Sequence, residues 1–507
     1  MKKDIYITAS KLYDYLECPH RIWRDIYGPK EERIEEANPF VEMLWKKGIQ
    51  HEDMVISQLG EFLDLRAGSL EERFEKTIQA MKEKAPLIYQ GVLTCENMRG
   101  IPDLLRLTPD DVYIPVDIKS GMGFEGTTED GADDKLKKTY AVQLALYVDV
   151  LKRLGFKNNL KGIVWDIKGN EVEYNLLDAK GQRDKQTWWD FYEKTKAEVW
   201  ALMNNDVENK PAMSGGCKLC PWYESCKKWA NETNDLTNIF YVGRSIRDRI
   251  NEDIFIKNTD EFLNIDVDEI IKQKEREKKS GNEKFLFGIG KDGLLKSLKR
   301  ANVLCKTKKP IIYEKIEFPK TKYDLFFDIE TDPTQEFVYL HGIYERQGKN
   351  EKFRYFVAKE LNREEEKRAW QEFWDYIASL PENDFAVYYY SPYEKTTYKA
   401  LQKKYPEVIS EDEMIKFFEN PNVIDLYTKE ILKKTDWPLG SYSIKAIAQY
   451  IGFNWRDKTP SGSLSIQWFN EYLETRDETM LQRILDYNED DCKATMILKD
   501  ELERLQK

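Results

Sequence analysis

The stretch VYIPVDIKSG, residues 112–121, constrains this chain more than any other part of its sequence. It has the composition of an apolar strand, and it carries Asp117 and Lys119 two residues apart. Residues i and i+2 of a strand share a face, so the carboxylate and the ammonium should project together. An acid that binds a cation and a lysine that stabilises charge on a phosphate suit metal-assisted phosphodiester hydrolysis. A surface strand with an ordinary ion pair is the competing interpretation.

Length and composition limit the class of protein. At 507 residues, and with about 150 residues per domain, the chain should form two to four domains. Its net charge of -12 argues against nucleic-acid binding when taken alone. However, carboxylate sites that bind cations add negative charge themselves, and a local basic patch can still attract DNA. No apolar run approaches the roughly 20 residues that span a bilayer, and the charged start differs from a signal peptide. We therefore expect no membrane association and a cytoplasmic location.

Further polar residues stand around the 112–121 strand. Asp103 lies in RGIPDLLRL, which is typical of a turn that leads into a neighbouring strand. His51 lies in GIQHED, near the end of a helix that the pattern predicts over residues 40–63. Downstream, Gln143 and Tyr147 are four residues apart in YAVQLALYVDVLKRL, so they should share one face of a helix.

In this order, these residues resemble the motif set of the RecB-like branch of the PD-(D/E)xK nucleases. The resemblance implies a restriction-endonuclease-like α/β domain that hydrolyses DNA with Mg²⁺ or Mn²⁺. The cation ligands that it implies are His51, Asp103 and Asp117. It also implies that Lys119 orients the attacking water and that Gln143 and Tyr147 shape the site.

Three cysteines form a compact motif in GGCKLCPWYESCKKW. Cys217, Cys220 and Cys226 have the spacing C-x2-C-x5-C, which places three thiolates within reach of one metal centre. A cytosolic protein rarely uses such a cluster for disulfides, so a metal is favoured. The candidate for a fourth ligand is Cys18 in ECPHRIW, where Pro19 should break an amphipathic helix capped by Ser10.

The ECPHRIW segment resembles the first half of the split iron-sulfur motif in the same RecB-like branch, which includes CRISPR-associated and helicase-linked members. In those proteins the cluster joins the two ends of the nuclease domain. The resemblance implies a [4Fe-4S] cluster on Cys18, Cys217, Cys220 and Cys226. Zinc remains the alternative, because four thiolates suit tetrahedral zinc equally well.

The middle of the chain, about residues 233–318, has a different character. Helical patterns around Gly243 and around Gly288 and Gly290 loosely resemble helix-hairpin-helix units, whose glycine turn offers backbone N–H groups to a phosphate. A plain helical spacer is the alternative. Between residues 272 and 309, basic residues outnumber acidic ones, which indicates either a solvated charge run or a surface that binds DNA. The basic residues include Arg276, Lys284, Lys296, Lys299, Arg300, Lys306, Lys308 and Lys309.

A second acidic pattern begins in YDLFFDIETDP. Asp328 and Glu330 should lie on one face of a strand, where two carboxylates repel each other unless a cation lies between them. Glu394 stands at the start of a helix that follows another strand, in FAVYYYSPYEKTTYKAL. Tyr487 and Asp491, spaced Y-x3-D, should share one face of the last helix.

This pattern resembles the DEDDy 3′–5′ exonucleases of the ribonuclease H-like fold over about residues 319–507. The resemblance implies that Asp328, Glu330 and Asp491 bind two metal ions and that Tyr487 positions the attacking water. The family usually has Asp where Glu394 stands, so this subsite is either served by a longer side chain or weakened. Asp425 is a fallback ligand, although its context favours a helix cap. Asp490 is expected to be solvated.

Together the patterns predict an α/β protein with a RecB-like PD-(D/E)xK domain with the cluster at 1–232, a helical basic linker at 233–318 and a ribonuclease H-like exonuclease domain at 319–507. The expected activity is a metal-dependent DNA exonuclease in repair, recombination or CRISPR-type defence. The expected partners are DNA with single-stranded ends and a helicase or CRISPR-type protein. The alternatives are a nucleic-acid-binding scaffold with inactive sites and an RNA-processing exonuclease.

Overall fold

The computed structural model describes residues 5–34, 39–125, 135–181, 184–382 and 384–506. The chain forms two compact units, Met1–Pro211 with Gly215–Cys226, and Ala212–Ser214 with Lys227–Lys507. Within the described ranges, no helix combines the length and the apolar character needed to cross a membrane.

The first unit is built on a mixed six-stranded sheet. The strands of the whole unit are β1 (Leu63–Asp64), β2 (Leu87–Tyr89), β3 (Leu93–Cys95), β4 (Met98–Gly100), β5 (Leu104–Leu107), β6 (Tyr113–Ile118), β7 (Lys161–Trp165) and β8 (Glu171–Asn175). The sheet has the order β1-β2-β5-β6-β7-β8, and β3 and β4 form a separate hairpin. β6 is antiparallel to β5 and parallel to β7, so the start of β5 meets the ends of β6 and β7 at one edge.

Helices cover this sheet. They are α1 (Ala9–Glu17), α2 (Pro19–Tyr27), α3 (Pro39–Ser57), α4 (Leu70–Lys82), α5 (Lys138–Arg153), α6 (Trp188–Met203) and α7 (Tyr223–Glu232), of which α7 continues into the second unit. The side chain of Thr8 caps α1, so the expected cap at Ser10 is wrong. α3 ends at Ser57 and not at residue 63, because Leu63 must be extended to pair with Ile88 of β2.

Helix α5 lies at the centre of the first unit. Every residue from Ala141 to Leu151 is buried, which is typical of a helix surrounded by protein on all sides. Leu144 packs so closely on β7 that a methyl group at Gly162 would lie 2.9 Å from the Leu144 Cβ. Gln143 and Tyr147 are therefore polar groups held in a rigid apolar setting.

The second unit begins with a helical segment that has its own core. Its helices are α8 (Arg244–Asp253), α9 (Thr259–Phe262), α10 (Val267–Lys279) and α11 (Lys291–Asn302). Leu236, Ile250, Phe262 and Leu294 are among the residues buried in that core. This segment belongs to the same compact unit as residues 319–507.

The rest of the second unit is built around a five-stranded sheet. The strands of this part are β9 (Ile311–Ile312), β10 (Tyr323–Asp332), β11 (Phe337–Gln347), β12 (Asn350–Val357), β13 (Phe385–Tyr389), β14 (Val423–Asp425) and β15 (Thr435–Asp436). The sheet has the order β12-β11-β10-β13-β14, with β10, β13 and β14 parallel and β9 paired with β15 outside it. The helices are α12 (Arg363–Ala378), α13 (Pro392–Lys404), α14 (Glu411–Glu419), α15 (Leu432–Lys434), α16 (Ile444–Tyr450), α17 (Gly462–Thr475) and α18 (Glu478–Arg504).

The alternation of β10 decides which helix its acids face. Phe327 packs in the core that contains Phe373 of α12, whereas Phe326 packs in the core that contains Leu498 of α18. Because alternate residues of a strand share a face, Asp328 and Glu330 follow Phe326 towards α18. Both units are mixed α/β structures, which confirms the predicted fold class.

Candidate active sites

The sheet of the first unit brings two acids and a lysine to one edge. The backbone N–H of Ile118 donates to Oδ2 of Asp103 at 2.7 Å, which ties the start of β5 to the end of β6. Asp117 is buried, and Nζ of Lys119 lies 2.9 Å from its Oδ2. The structure therefore places Asp103, Asp117 and Lys119 in one group.

Burial and mutual repulsion shape the charges of this group. Burial raises the pKa of the Asp103 carboxyl, and the negative charge of Asp117 raises it further. Burial alone would lower the pKa of Lys119, but Asp117 and Asp103 outweigh this effect and raise it, so the ammonium stays charged. A carboxyl whose pKa is raised by burial and by a neighbouring carboxylate is typical of a site that accommodates a cation.

His51 projects from α3 with an imidazole that is available for a ligand. The ring is buried, and neither nitrogen makes a well-formed hydrogen bond among the described residues, although the backbone and the charge of Asp166 act on the ring and oppose the lowering of its pKa. Burial lowers the pKa of His51, so the imidazole is neutral and able to bind a metal. In the described part of the chain, the ligand atoms of His51, Asp103 and Asp117 do not all lie within 4.8 Å of one another.

Helix α5 presents Gln143 and Tyr147 to the same site. Tyr147 is buried, and burial followed by the charges of Asp117 and Asp103 raises the pKa of its phenol. Its ring lies so close to β4 that a methyl group at Gly100 would lie 2.4 Å from Cδ1 of Tyr147. Oε1 of Gln143 is buried and has no hydrogen-bond partner in the described ranges.

Two residues of this site escaped the sequence analysis. Glu52 accepts hydrogen bonds from the Tyr89 hydroxyl and from Nε2 of Gln90, both at 2.9 Å. The same Nε2 donates to Oδ1 of Asp103 at 3.0 Å, so Gln90 bridges Glu52 and Asp103. Glu52 could have been found from its position next to His51, but no motif marks Gln90.

The four expected cysteines are half-buried, and Cys226 interacts electrostatically with the other three. Burial raises the pKa of the Cys226 thiol to about 11 and, although Arg24 opposes the shift, the other three cysteines add to it. Nε1 of Trp222 donates to Oδ1 of Asp25 at 2.8 Å, so the 217–226 segment contacts α2, which begins directly after Cys18. Among the described residues, no three of these Sγ atoms lie within 4.8 Å of one another.

The acids of the second unit form a more compact group. Ligand atoms of Asp328, Glu330 and Asp491 all lie within 4.8 Å of one another. Nδ2 of Asn488 donates to Oδ2 of Asp328 at 2.8 Å and to Oε1 of Glu330 at 3.4 Å. Nε1 of Trp455 donates to Oδ1 of Asp491 at 2.7 Å. These bonds fix all three carboxylates.

Burial is the main cause of the proton affinity of this acidic group. Burial and the charge of Asp491 raise the pKa of Asp328, and the same two causes raise the pKa of Glu330 to about 8. Burial also raises the pKa of Asp491. The positive charge of Lys445 opposes the shift at each of the three carboxyls.

Lys445, like Asn488 and Trp455, is a residue of this site that the sequence analysis missed. It lies on α16, and its Nζ donates to the hydroxyl oxygen of Tyr487 at 2.5 Å. Tyr487 stands one helical turn before Asp491 on α18, and its buried phenol has a raised pKa. Nothing in the sequence SYSIKAI marks this lysine as part of an acidic site.

Glu394 lies near the group but is not one of its three members. It is buried in the first turn of α13, and Oγ of Ser391 donates to its Oε2 at 3.2 Å. Burial raises the pKa of Glu394 to about 8, and the charges of Asp425 and Asp491 add to this effect. Asp425 accepts from the Thr428 N–H at 2.9 Å, as a helix-capping acid does.

Two expectations about charged residues are wrong. Asp490 is buried and not solvated, because α18 turns it towards Arg456, whose Nη2 lies 2.9 Å from Oδ1 of Asp490. Arg300 does not belong to an exposed basic surface, because it is 4% exposed and its Nε lies 3.1 Å from Oδ1 of Asp436. The Arg300–Asp436 pair is a buried salt bridge, whereas Arg456 is 45% exposed and only Asp490 of the other pair is buried.

Comparisons with known proteins agree with the two kinds of site. Residues 15–227 match the model of the PD-(D/E)XK nuclease superfamily, and residues 325–503 match that of the RNase_H superfamily. No curated protein and no solved structure gives a significant match. Both matched superfamilies contain nucleases. The chain therefore combines a PD-(D/E)XK nuclease domain at residues 15–227 with an RNase H-superfamily domain at residues 325–503.

Proposed function

We propose that this protein is a metal-dependent exonuclease that hydrolyses DNA phosphodiester bonds, with Mg²⁺ or Mn²⁺ as its cation. The observation that carries the proposal is the buried group Asp328, Glu330 and Asp491, whose ligand atoms lie within 4.8 Å of one another. Three carboxylates at this distance repel each other in a buried site, and divalent cations remove that cost.

In the second unit, Asp328, Glu330 and Asp491 would hold the divalent ions. Divalent ions held there would supply positive charge to stabilise the attacking and leaving oxygens of a phosphodiester. The phenol of Tyr487 positions the attacking water, and Lys445 fixes that phenol through its 2.5 Å hydrogen bond. Asn488 keeps the carboxylates of Asp328 and Glu330 in place.

In the first unit, His51, Asp103 and Asp117 would hold a cation, and such a cation would make the attacking water more acidic. Lys119 orients the attacking water and stabilises charge on the phosphate. Gln143 and Tyr147 shape the site from α5. The buried imidazole of His51 and the raised pKa of Asp103 beside Asp117 support this assignment.

Cys18, Cys217, Cys220 and Cys226 would hold a [4Fe-4S] cluster. The donor set fits, since it consists of four half-buried thiols. A single tetrahedral zinc ion, with Zn–S bonds of about 2.3 Å, requires sulfur atoms less than about 4 Å apart. Zinc remains the alternative metal for these four thiols. Visible charge-transfer absorbance and iron in anaerobically purified protein test this assignment, and a colourless protein rich in zinc contradicts it.

We place the activity on DNA with single-stranded ends, in repair, recombination or CRISPR-type defence, alongside a helicase or a CRISPR-type protein. One observation favours a second candidate, a nucleic-acid-binding scaffold. Glu394 replaces the aspartate that DEDDy exonucleases usually have, and it is not part of the compact acidic group. An RNA-processing exonuclease is the third candidate, since the chemistry of the acids does not select a sugar.

End-labelled single- and double-stranded DNA and RNA test these candidates. Wild-type protein should degrade DNA with Mg²⁺ or Mn²⁺, and Asp328→Asn and Lys119→Ala should each remove the activity of one site. The absence of cleavage with every divalent ion would favour the scaffold, and degradation of RNA alone would favour RNA processing. Activity lost in Asp328→Asn but unchanged in Lys119→Ala would show that the second unit performs the reaction.

A further inference from the structure

A groove runs between α8 and α11 in the helical segment, outside the residues that either superfamily matches. Its volume is about 290 Å³. Ile246, Ile250 and Leu294 form an apolar wall, and Tyr241, which is 60% exposed, stands at the rim. The groove lies entirely within the second unit.

Arg300 is one of the residues that line this groove, and one of its hydrogen-bond donors is unused. Its Nε donates to Oδ1 of Asp436 and its Nη1 donates to the carbonyl oxygen of Phe240, both at 3.1 Å. Nη2 is buried and has no partner in the part of the chain that the structure describes. A buried guanidinium N–H without an acceptor is costly, so a ligand with acceptor oxygens would stabilise it.

Lys296 adds a second positive charge to the groove. It stands one helical turn before Arg300, and its Nζ donates to the carbonyl oxygen of Leu432 at 3.1 Å. Burial lowers the pKa of Lys296, and the positive charge of Arg300 lowers it further. An anion between the two side chains would relieve this repulsion.

The amino-terminal end of α11 is open to the same groove. Gly290 caps the helix without a side-chain hydrogen bond, and a methyl group at Gly290 or Gly293 would meet no atom within 4 Å. Neither internal packing nor a positive φ requires these glycines. They leave the first-turn amides open to an anion, although Asp292 in that turn opposes it.

We propose that this groove binds the phosphate backbone of a nucleic-acid strand. One phosphate would lie at Arg300 and Lys296, and another at the first-turn amides of α11. The ten residue steps from Gly290 to Arg300 span about 15 Å of helix, which is long enough for more than one phosphate. The apolar wall and the exposed ring of Tyr241 suit a sugar or base, which free phosphate lacks. This inference rests on the proposed function, because the bound strand would be the substrate of the nuclease.

Gly293→Glu tests the groove, because it adds a negative charge where a side chain has room. Leu295→Glu is the matched control, since Leu295 is 38% exposed on the same helix and does not line the groove. Fluorescence anisotropy with labelled single-stranded DNA and RNA in EDTA measures binding without cleavage. We expect Gly293→Glu to weaken binding about tenfold and to reduce the slope of log Kd against log salt by about one. Leu295→Glu should bind as the wild type does.

Arg300→Gln should act in the same direction, and circular dichroism checks that the loss of its pair with Asp436 leaves the fold intact. Wild-type binding by Gly293→Glu, or an equal loss in Leu295→Glu, would overturn the proposal. Titration with inorganic phosphate separates the two sources of the ligand. Phosphate binding that Gly293→Glu removes, with unchanged oligonucleotide binding, would assign the groove to free phosphate and overturn the proposal.

Cleavage assays with Mg²⁺ on the same variants separate this inference from the proposed function. Groove-dependent binding by a protein that cleaves nothing would support the groove while the nuclease assignment fails. If the variants cleave normally and bind oligonucleotide as the wild type does, the nuclease assignment stands and the groove proposal is wrong.

Discussion

Gly342 of β11 lies opposite Asp328 of β10, and a methyl group at Gly342 would lie 1.6 Å from Oδ1 of Asn488. The absence of a side chain at this position lets the Asn488 amide reach Asp328 and Glu330. The geometry of the acidic group therefore depends on a residue that touches no reactant.

Gly342→Ala should displace Asn488 and reduce cleavage by the second unit about 100-fold, because misplacement of a catalytic group by about 1 Å has effects of this size. The measurement is exonuclease activity in a Lys119→Ala background, where the first site is silent. Asn488→Ala provides the control, since it removes the clash. In the double variant, Gly342→Ala should reduce cleavage little beyond the loss caused by Asn488→Ala alone. If the two losses of activity were additive, the clash with Asn488 would not be the cause.

Lys445→Met should separate two effects of one side chain. Loss of its charge removes a positive group that opposes cation binding by the acids, so at a pH where the acids are ionised half-maximal activity should need less Mg²⁺. Loss of its hydrogen bond to Tyr487 should lower kcat about tenfold. Activity titrated against Mg²⁺ measures both, and Lys445→Arg should retain more activity than Lys445→Met. A higher Mg²⁺ requirement with unchanged kcat would contradict this account.

The metal-free protein should lose stability as pH rises. Glu330 has a pKa near 4.5 when unfolded and about 8 in the fold, so between these values the folded state binds more protons. The contribution of the Glu330 carboxyl to the free energy of unfolding is therefore complete below about pH 4.5 and is lost as pH rises towards 8. Tm in EDTA should fall across this range, and Mg²⁺ should raise Tm more at pH 8 than at pH 5. An equal effect of Mg²⁺ at both pH values would exclude metal binding by these acids.

Cys18→Ser should remove most of the bound iron and the visible absorbance, because three remaining thiolates hold a cluster less tightly than four. Cys95→Ser is the matched control, since Cys95 is also half-buried but stands in β3, apart from the cluster cysteines in the sequence. Metal analysis and absorbance on anaerobically purified proteins provide the measurement. Equal iron content in both variants would show that Cys18 is not a ligand.

Strand and helix periodicity predicted only some of the site residues that lie in regular elements. Asp328 and Glu330 were predictable because alternate strand residues share a face, and Asp491 because it stands one turn from Tyr487. Gln90, Asn488 and Lys445 were not, because each reaches the acids through the fold and carries no local pattern. Adjacent acids on α18 also differ in role. Asp491 joins the acidic group, whereas Asp490, about 100° further round the helix, pairs with Arg456.

Because α5 is buried from Ala141 to Leu151, a substitution in the core of the first unit also affects the candidate site residues on this helix. A substitution that repacks Leu144 against Gly162 would also move Tyr147, which stands only three residues further along the same helix. The core and the candidate active site of this unit therefore cannot accept substitutions independently. Engineering of the first unit should therefore leave α5 unchanged and alter substrate preference from exposed positions instead.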